Sequence, residues 1–107
     1  MSDLLSELER TMREYLPNAE YTDVHVDRCL TLLRQYATNM DTATDRKEGM
    51  KYVEHTILQL NALDNETDNT LIETGERELI AEFIITQGHR RGFNSLDEDI
   101  TEEYREW

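Results

Sequence analysis

Cysteine, proline and glycine are scarce in this chain, at one, one and four among 107 residues. The single cysteine, Cys29, excludes an intramolecular disulfide framework and any four-cysteine zinc site, and its place in an apolar helical pattern suits a reducing compartment. With proline confined to position 17, the rest of the chain lacks the strongest helix breaker. Long apolar runs are missing too: none approaches the ~18 residues of a membrane span, and Asp3, Glu7 and Glu9 stand where an export signal carries basic residues. The expectation is a cytoplasmic protein with no membrane segment. Catalytic signatures are also lacking, with no CxxC, no HExxH, no glycine-rich phosphate loop and no GxSxG elbow. That pattern argues against an enzyme and implies no cofactor.

Positive charge is the other shortage. Eleven Lys and Arg face 24 Asp and Glu, a formal balance of −13. Such a field repels nucleic acid and anionic lipid and attracts cationic surfaces, so the expected partner is a basic protein. The excess is uneven: residues 64–107 hold 13 acidic and 4 basic side chains, residues 1–63 hold 11 and 7. Arginine outnumbers lysine nine to two, and with the acidic excess this also fits adaptation to salt.

What is present is helical periodicity. In MKYVEHTILQLNAL, residues 50–63, Met50, Val53, Ile57 and Leu60 fall on one face of a 3.6-residue helix, which predicts the central wall of a core. Before it, Leu5, Leu8, Met12 and Tyr15 share a face of a helix over about 2–16, with Ser2 as cap and Pro17 as stop. Thr22 caps a second helix over about 22–40, with Val26, Cys29, Leu33, Tyr36 and Met40 at heptad-like spacing. A third spans about 45–65, with Gly49 a weak spot costing about 1 kcal/mol relative to Ala. DNETDN, residues 64–69, has little to bury and reads as a reversal. A fourth helix, capped by Thr74, covers about 74–88 through Leu79, Ile80, Phe83 and Ile84, and Gly88 and Gly92 mark its end. The tail DEDITEEYREW can form a short helix over 99–106, too short to stand alone in water. A chain of this length can bury roughly 60 to 70% of its unfolded surface in one core. The fold class is therefore all-α: a four-helix bundle-like single domain over residues 1–107, with a short C-terminal helix or turn.

Several constellations invite a chemical reading. His25 and Cys29 share a face of the second helix, with His55 on the third, yet a zinc site needs a fourth ligand. Asp64, Glu66 and Asp68 alternate like the start of a calcium loop, but Asn69 and Gly75 stand where an EF-hand needs Gly and Glu. No metal is expected. His89, Arg90 and Arg91 form the one basic cluster, and a helix C-terminus favours such charge without any nucleic acid. In the tail, Tyr104 and Trp107 are candidate interface anchors, with Asp97, Asp99, Glu102, Glu103 and Glu106 as steering charges. Asp68, Glu73 and Glu76 are further candidate contacts. The competing reading has both rings simply pinning the C-terminus to the bundle.

LIETGEREL at 71–79, an apolar helical segment, and DEDITEEYREW at 97–107 form an arrangement that resembles small helical bacterial proteins. In size and acidity the chain is also similar to bacterial immunity proteins, which neutralise a toxin by covering its active site or substrate-binding surface. The resemblance implies a non-catalytic inhibitor of a basic toxin domain, and by charge a nuclease. The alternative is a structural or self-assembling module whose apolar stripes bury against a second copy, a homodimer.

Overall fold

The apolar periodicities fold as four helices, α1 Asp3–Tyr15, α2 Asp23–Thr42, α3 Arg46–Glu66 and α4 Thr74–Arg90, in a computed structural model that describes residues 3–107. The expected cap at Ser2 lies outside the described residues. No strand occurs among them, so the all-α bundle holds. Pro17 sits in a 3-10 turn, Leu16–Asn18, that closes α1. The N-cap of α2 is Thr22, whose backbone N–H donates to His25 Nδ1 at 3.1 Å. Asp45 caps α3 by accepting from Glu48 N at 2.9 Å.

Interhelical bonds fix the directions. Arg28 pairs with Glu66 across the antiparallel α2–α3 hairpin, and Tyr36 donates to Ile84 O at 2.8 Å between parallel α2 and α4. α1 runs antiparallel to both α2 and α4, giving an up-down-up-down bundle. The core is continuous, from Leu8 and Met12 through Val26, Leu33, Tyr36 and Met40 to Val53, Ile57, Leu60, Ile80 and Ile84.

Two expectations about the helices change. Val53, Ile57 and Leu60 of the α3 stripe are buried and Met50 partly so, yet α2 is the helix that packs on all three others; α3 packs chiefly on α2. The flank of α3 toward α4 is covered instead by the C-terminal chain. The cap of α4 is also one residue earlier than expected. Glu73 is extended, at φ −93° and ψ −174°, and its N–H donates to Glu76 Oε1, so Thr74 is already helical. Glu76 thus reaches back to an amide that the helix leaves unpaired.

The α3–α4 reversal buries more than its composition suggests. Asp64, Thr67, Leu71 and Ile72 are all buried there. Asp68 and Asn69 both adopt positive φ, at 56° and 61°, and their N–H groups return to Asn65 O and Asp64 O. This is the paired closure that satisfies the last carbonyls of a helix, made here without glycine.

Candidate functional site

The C-terminal strap, residues 92–107, begins where α4 stops. Gly92, at φ +77°, donates to His89 O at 2.8 Å and Phe93 N donates to Gly88 O at 3.0 Å, turning the chain off the helix end. The turn uses the Gly92 freedom that an L side chain lacks. Beyond it the strap lies on two glycines. A Cβ on Gly49 would sit 2.6 Å from the Phe93 ring, and one on Gly88 would sit 2.1 Å from Asn94 Oδ1. Gly49, a weak spot by helix propensity, is thus a seat for Phe93. Asn94 is buried and its Nδ2 donates to Ile85 O and Ser95 O.

Charged and polar side chains then tie the strap down. Arg46, on the first turn of α3, donates to Phe93 O and pairs with Glu98 at 2.6 Å. This pairing lowers the Glu98 carboxyl below its ordinary range. Asp99 Oδ1 accepts from both Thr101 N, at 2.9 Å, and Thr101 Oγ1, while Arg105 bonds Asp99, Thr101 and the Trp107 carbonyl and lies 5.6 Å from the Trp107 ring centroid. Partial burial alone would raise the Asp99 carboxyl. The Thr101 bonds and the Arg105 charge together outweigh it, and the net shift is downward. Ile100 reaches the core.

The last anchor is Asn61 of α3. Its Nδ2 donates to Tyr104 O at 2.8 Å and its Oδ1 accepts from Glu106 N at 3.1 Å, gripping alternate backbone groups as a neighbouring strand would. Those two groups are therefore committed to a side chain, and residues 100–104 form turns in place of the expected helix over 99–106. The docked turn is the form the C-terminal element takes.

The structure brings one set of candidate residues together and leaves another apart. Asp97, Glu102, Glu103 and Glu106 are exposed on the strap, and none forms an ion pair among the described residues. Asp99 is a structural acceptor within the strap. Tyr104 and Trp107 are half-buried and pack against the core. Burial first, then the nearby Glu103 and Glu54 charges, raise the Tyr104 phenol above its ordinary value. The exposed apolar side chain of the strap is Leu96, beside Asp97. Asp68 stands at the end of α3, and Glu73 and Glu76 face each other at the start of α4; none of the three bonds to the strap among the described residues.

Sequence reasoning missed the tethers Asn61, Arg46, Asn94 and Arg105. A signal existed for the first: Ile57, Asn61 and Asp64 follow at spacings of four and three, which puts two polar residues on a buried flank of α3. Other chemical candidates have structural duties. Cys29 is fully buried and its thiol is pushed up to about 12 by burial, far from the thiolate a nucleophile requires. His25 serves the α2 cap, His55 is exposed, and no group of three metal-ligating side chains occurs among the described residues. Arg91 donates to Ala43 O at 2.7 Å, joining the ends of α2 and α4. Among the described residues no helix is long and apolar enough to cross a membrane.

Comparison with protein-family models, curated proteins and solved structures finds no match for this chain. The fold and the tethered strap define its class: an all-α bundle whose fifth wall is an acidic, non-helical C-terminal segment.

Proposed function

We propose that this chain is a non-catalytic binding module that docks a basic protein on its strap, as an immunity- or antitoxin-like inhibitor docks a toxin. The observation that carries the reading is the sorting of charge on the strap. Its cation, Arg105, turns inward to Asp99, Thr101 and Trp107, while Asp97, Glu102, Glu103 and Glu106 are exposed with no ion pair among the described residues. Leu96, 57% exposed, supplies an apolar contact beside these charges. Opposite charge speeds encounter, and a small desolvated apolar centre slows release. A nuclease-type partner, whose cleft must be basic to hold phosphate, matches this surface.

Charge reversal tests the reading. Wild type and the triple variant Glu102→Lys, Glu103→Lys, Glu106→Lys serve as paired baits in extracts of the native host at low and moderate salt. One stoichiometric basic protein retained by wild type and lost by the variant is the expected result. Equal retention by both baits, or recovery of the bait alone, would rule out the strap as the docking face.

A second reading, self-association, has its own observation. The α2–α3 groove of about 570 Å³ exposes Val24, at 62%, and is lined by Leu32 and Ala62, with the exposed Leu58 on the same helix as Ala62. Sedimentation of wild type and Val24→Glu discriminates, since only a dimer through this groove would be dissociated by the substitution.

A further inference from the structure

Where the first turn of α1 meets the C-terminal halves of α2 and α4, the three helices enclose a cavity of about 300 Å³, and none of its lining residues belongs to the strap. Leu5, Ala37 and Phe83 give it apolar walls, and Arg34, Thr38, Asp41, Gln87 and Arg90 its polar groups. We propose that it binds a small organic carboxylate, with the anion on Arg34 and Arg90 and an alkyl or aryl group against the apolar walls.

The first support is positive charge left uncovered. Five of the nine arginines, Arg10, Arg13, Arg28, Arg46 and Arg105, pair with a carboxylate. Arg34 has no hydrogen bond or ion pair among the described residues, and Arg90 reaches only Gln87 Oε1, at a long 3.4 Å. Asp41 shares the lining, yet it pairs with neither arginine. In a chain with 24 acidic and 11 basic side chains, two arginines at one cavity without a counterion run against the balance. The helix dipole accounts for Arg90, in the last turn of α4, but not for Arg34, in the middle of α2.

The second support is a buried amide. Gln87 is only 8% exposed and lines the cavity. The Arg90 bond identifies its Oε1, which leaves Nε2 as a donor with no acceptor among the described residues. The side-chain atoms sealed off there without a partner are Asn94 Oδ1 and Trp107 Nε1, so Gln87 Nε2 is open to the cavity. Thr38 adds a hydroxyl that donates to nothing described, whereas the Thr11 and Thr42 hydroxyls bond carbonyls of their own helices. A buried amide N–H ordinarily has a partner, and the partner missing here is an acceptor.

Charge and shape select the anion. Two arginines and Asp41 leave one net positive charge, which a monoanion neutralises and a phosphate dianion exceeds. A planar carboxylate also matches the guanidinium fork. Phe83 is fixed by an edge-on contact with Tyr36, ring centroids 6.5 Å apart, so its wall is rigid. Phosphate would leave that wall bare, whereas an organic acid covers it, and a cavity at the small end of ligand sites takes a small one.

The full chain, labelled with nitrogen-15, is titrated at physiological ionic strength with phenylacetate, and with phenylacetamide, acetate and inorganic phosphate as controls. The expected result is saturable shifts at residues 34–41 and 83–90 with phenylacetate, and binding of each control at least about tenfold weaker. Arg34→Gln and Arg90→Gln should each weaken phenylacetate about tenfold, the scale of one charge-assisted hydrogen bond. Both side chains are exposed, so the variants keep the fold. Gln87→Met, which removes the amide donor at similar length, should weaken it about threefold. No saturable shift at the cavity, an equal response to any control, or unchanged binding in either arginine variant would overturn the proposal.

Discussion

Two non-helical segments lean on α3 in opposite ways. The α3–α4 reversal is held by Asp64, whose carboxylate is buried and accepts from Ile72 N at 2.9 Å. The strap is held one helical turn earlier by Asn61, a neutral amide, with Asp99 and Glu98 paired nearer the surface. Their protonation responses have opposite sign. Burial raises the Asp64 carboxyl, with the Ile72 amide opposing it, whereas Asp99 and Glu98 are lowered. A hydrogen-bonded carboxylate thus stabilises a loop at neutral pH only when its partners outweigh its desolvation.

The largest expected effect is at the strap. Asn61→Leu removes both bonds to its backbone and should cost about 2–3 kcal/mol by denaturant unfolding, from two lost hydrogen bonds and a poorly fitting apolar replacement. A loss no larger than that of a surface substitution would mean that the strap is held by its other contacts and not by Asn61.

At the reversal, Asp64→Ala should cost about 2 kcal/mol by leaving Ile72 N buried without an acceptor. Asp64→Asn keeps an acceptor and drops the charge, so stability at pH 7 should be equal or higher. The pH profile sharpens this. Because the folded Asp64 carboxyl binds its proton at higher pH than the unfolded one, the folded state gains from this residue as pH falls toward about 3.9. That gain should be absent in Asp64→Asn. If the variant shows the same acid-side gain as wild type, Asp64 is not its source.

Asp99 carries the opposite sign at smaller scale. Its stabilisation is present above about pH 3.9 and is lost as pH falls through its lowered folded value. Asp99→Asn should cost at most about 1 kcal/mol at pH 7 after solvent screening of this part-exposed group, and should flatten that acid-side loss. The smallest effect is a gain. Asp68→Gly relieves a positive φ and removes a negative charge from the end of α3, so it should raise stability by about 0.5 kcal/mol in thermal unfolding.

Much of the helical frame was legible because each stripe repeats at helical spacing and each break has a chemical cause. The cap at Thr22 and the stop at Gly92 follow from local rules that distant contacts do not alter. Legibility ended where a side chain from another element decides the outcome. Residues 99–106 carry a helical pattern, yet Asn61 claims the backbone of Tyr104 and Glu106, and no local rule reveals that. Gly49 likewise looks costly until Phe93, 44 positions away, lies on it. Glu73 and Glu76 are candidate partner contacts by sequence, although Glu76 is buried and caps the start of α4. The acidic bias of the strap was visible, whereas the inward turn of Arg105 to Asp99, which leaves Asp97, Glu102, Glu103 and Glu106 without an ion pair among the described residues, was not.

The acidic C-terminus is a fixed wall of the bundle and not a loose tail. Hydrogen exchange of the backbone amides tests it most directly. Phe93, Thr101 and Glu106, whose N–H groups bond Gly88 O, Asp99 Oδ1 and Asn61 Oδ1, should be protected well beyond free-chain rates, with Glu106 protection lost in Asn61→Leu. Free-chain exchange across residues 94–107 with the four helices fully protected would contradict it.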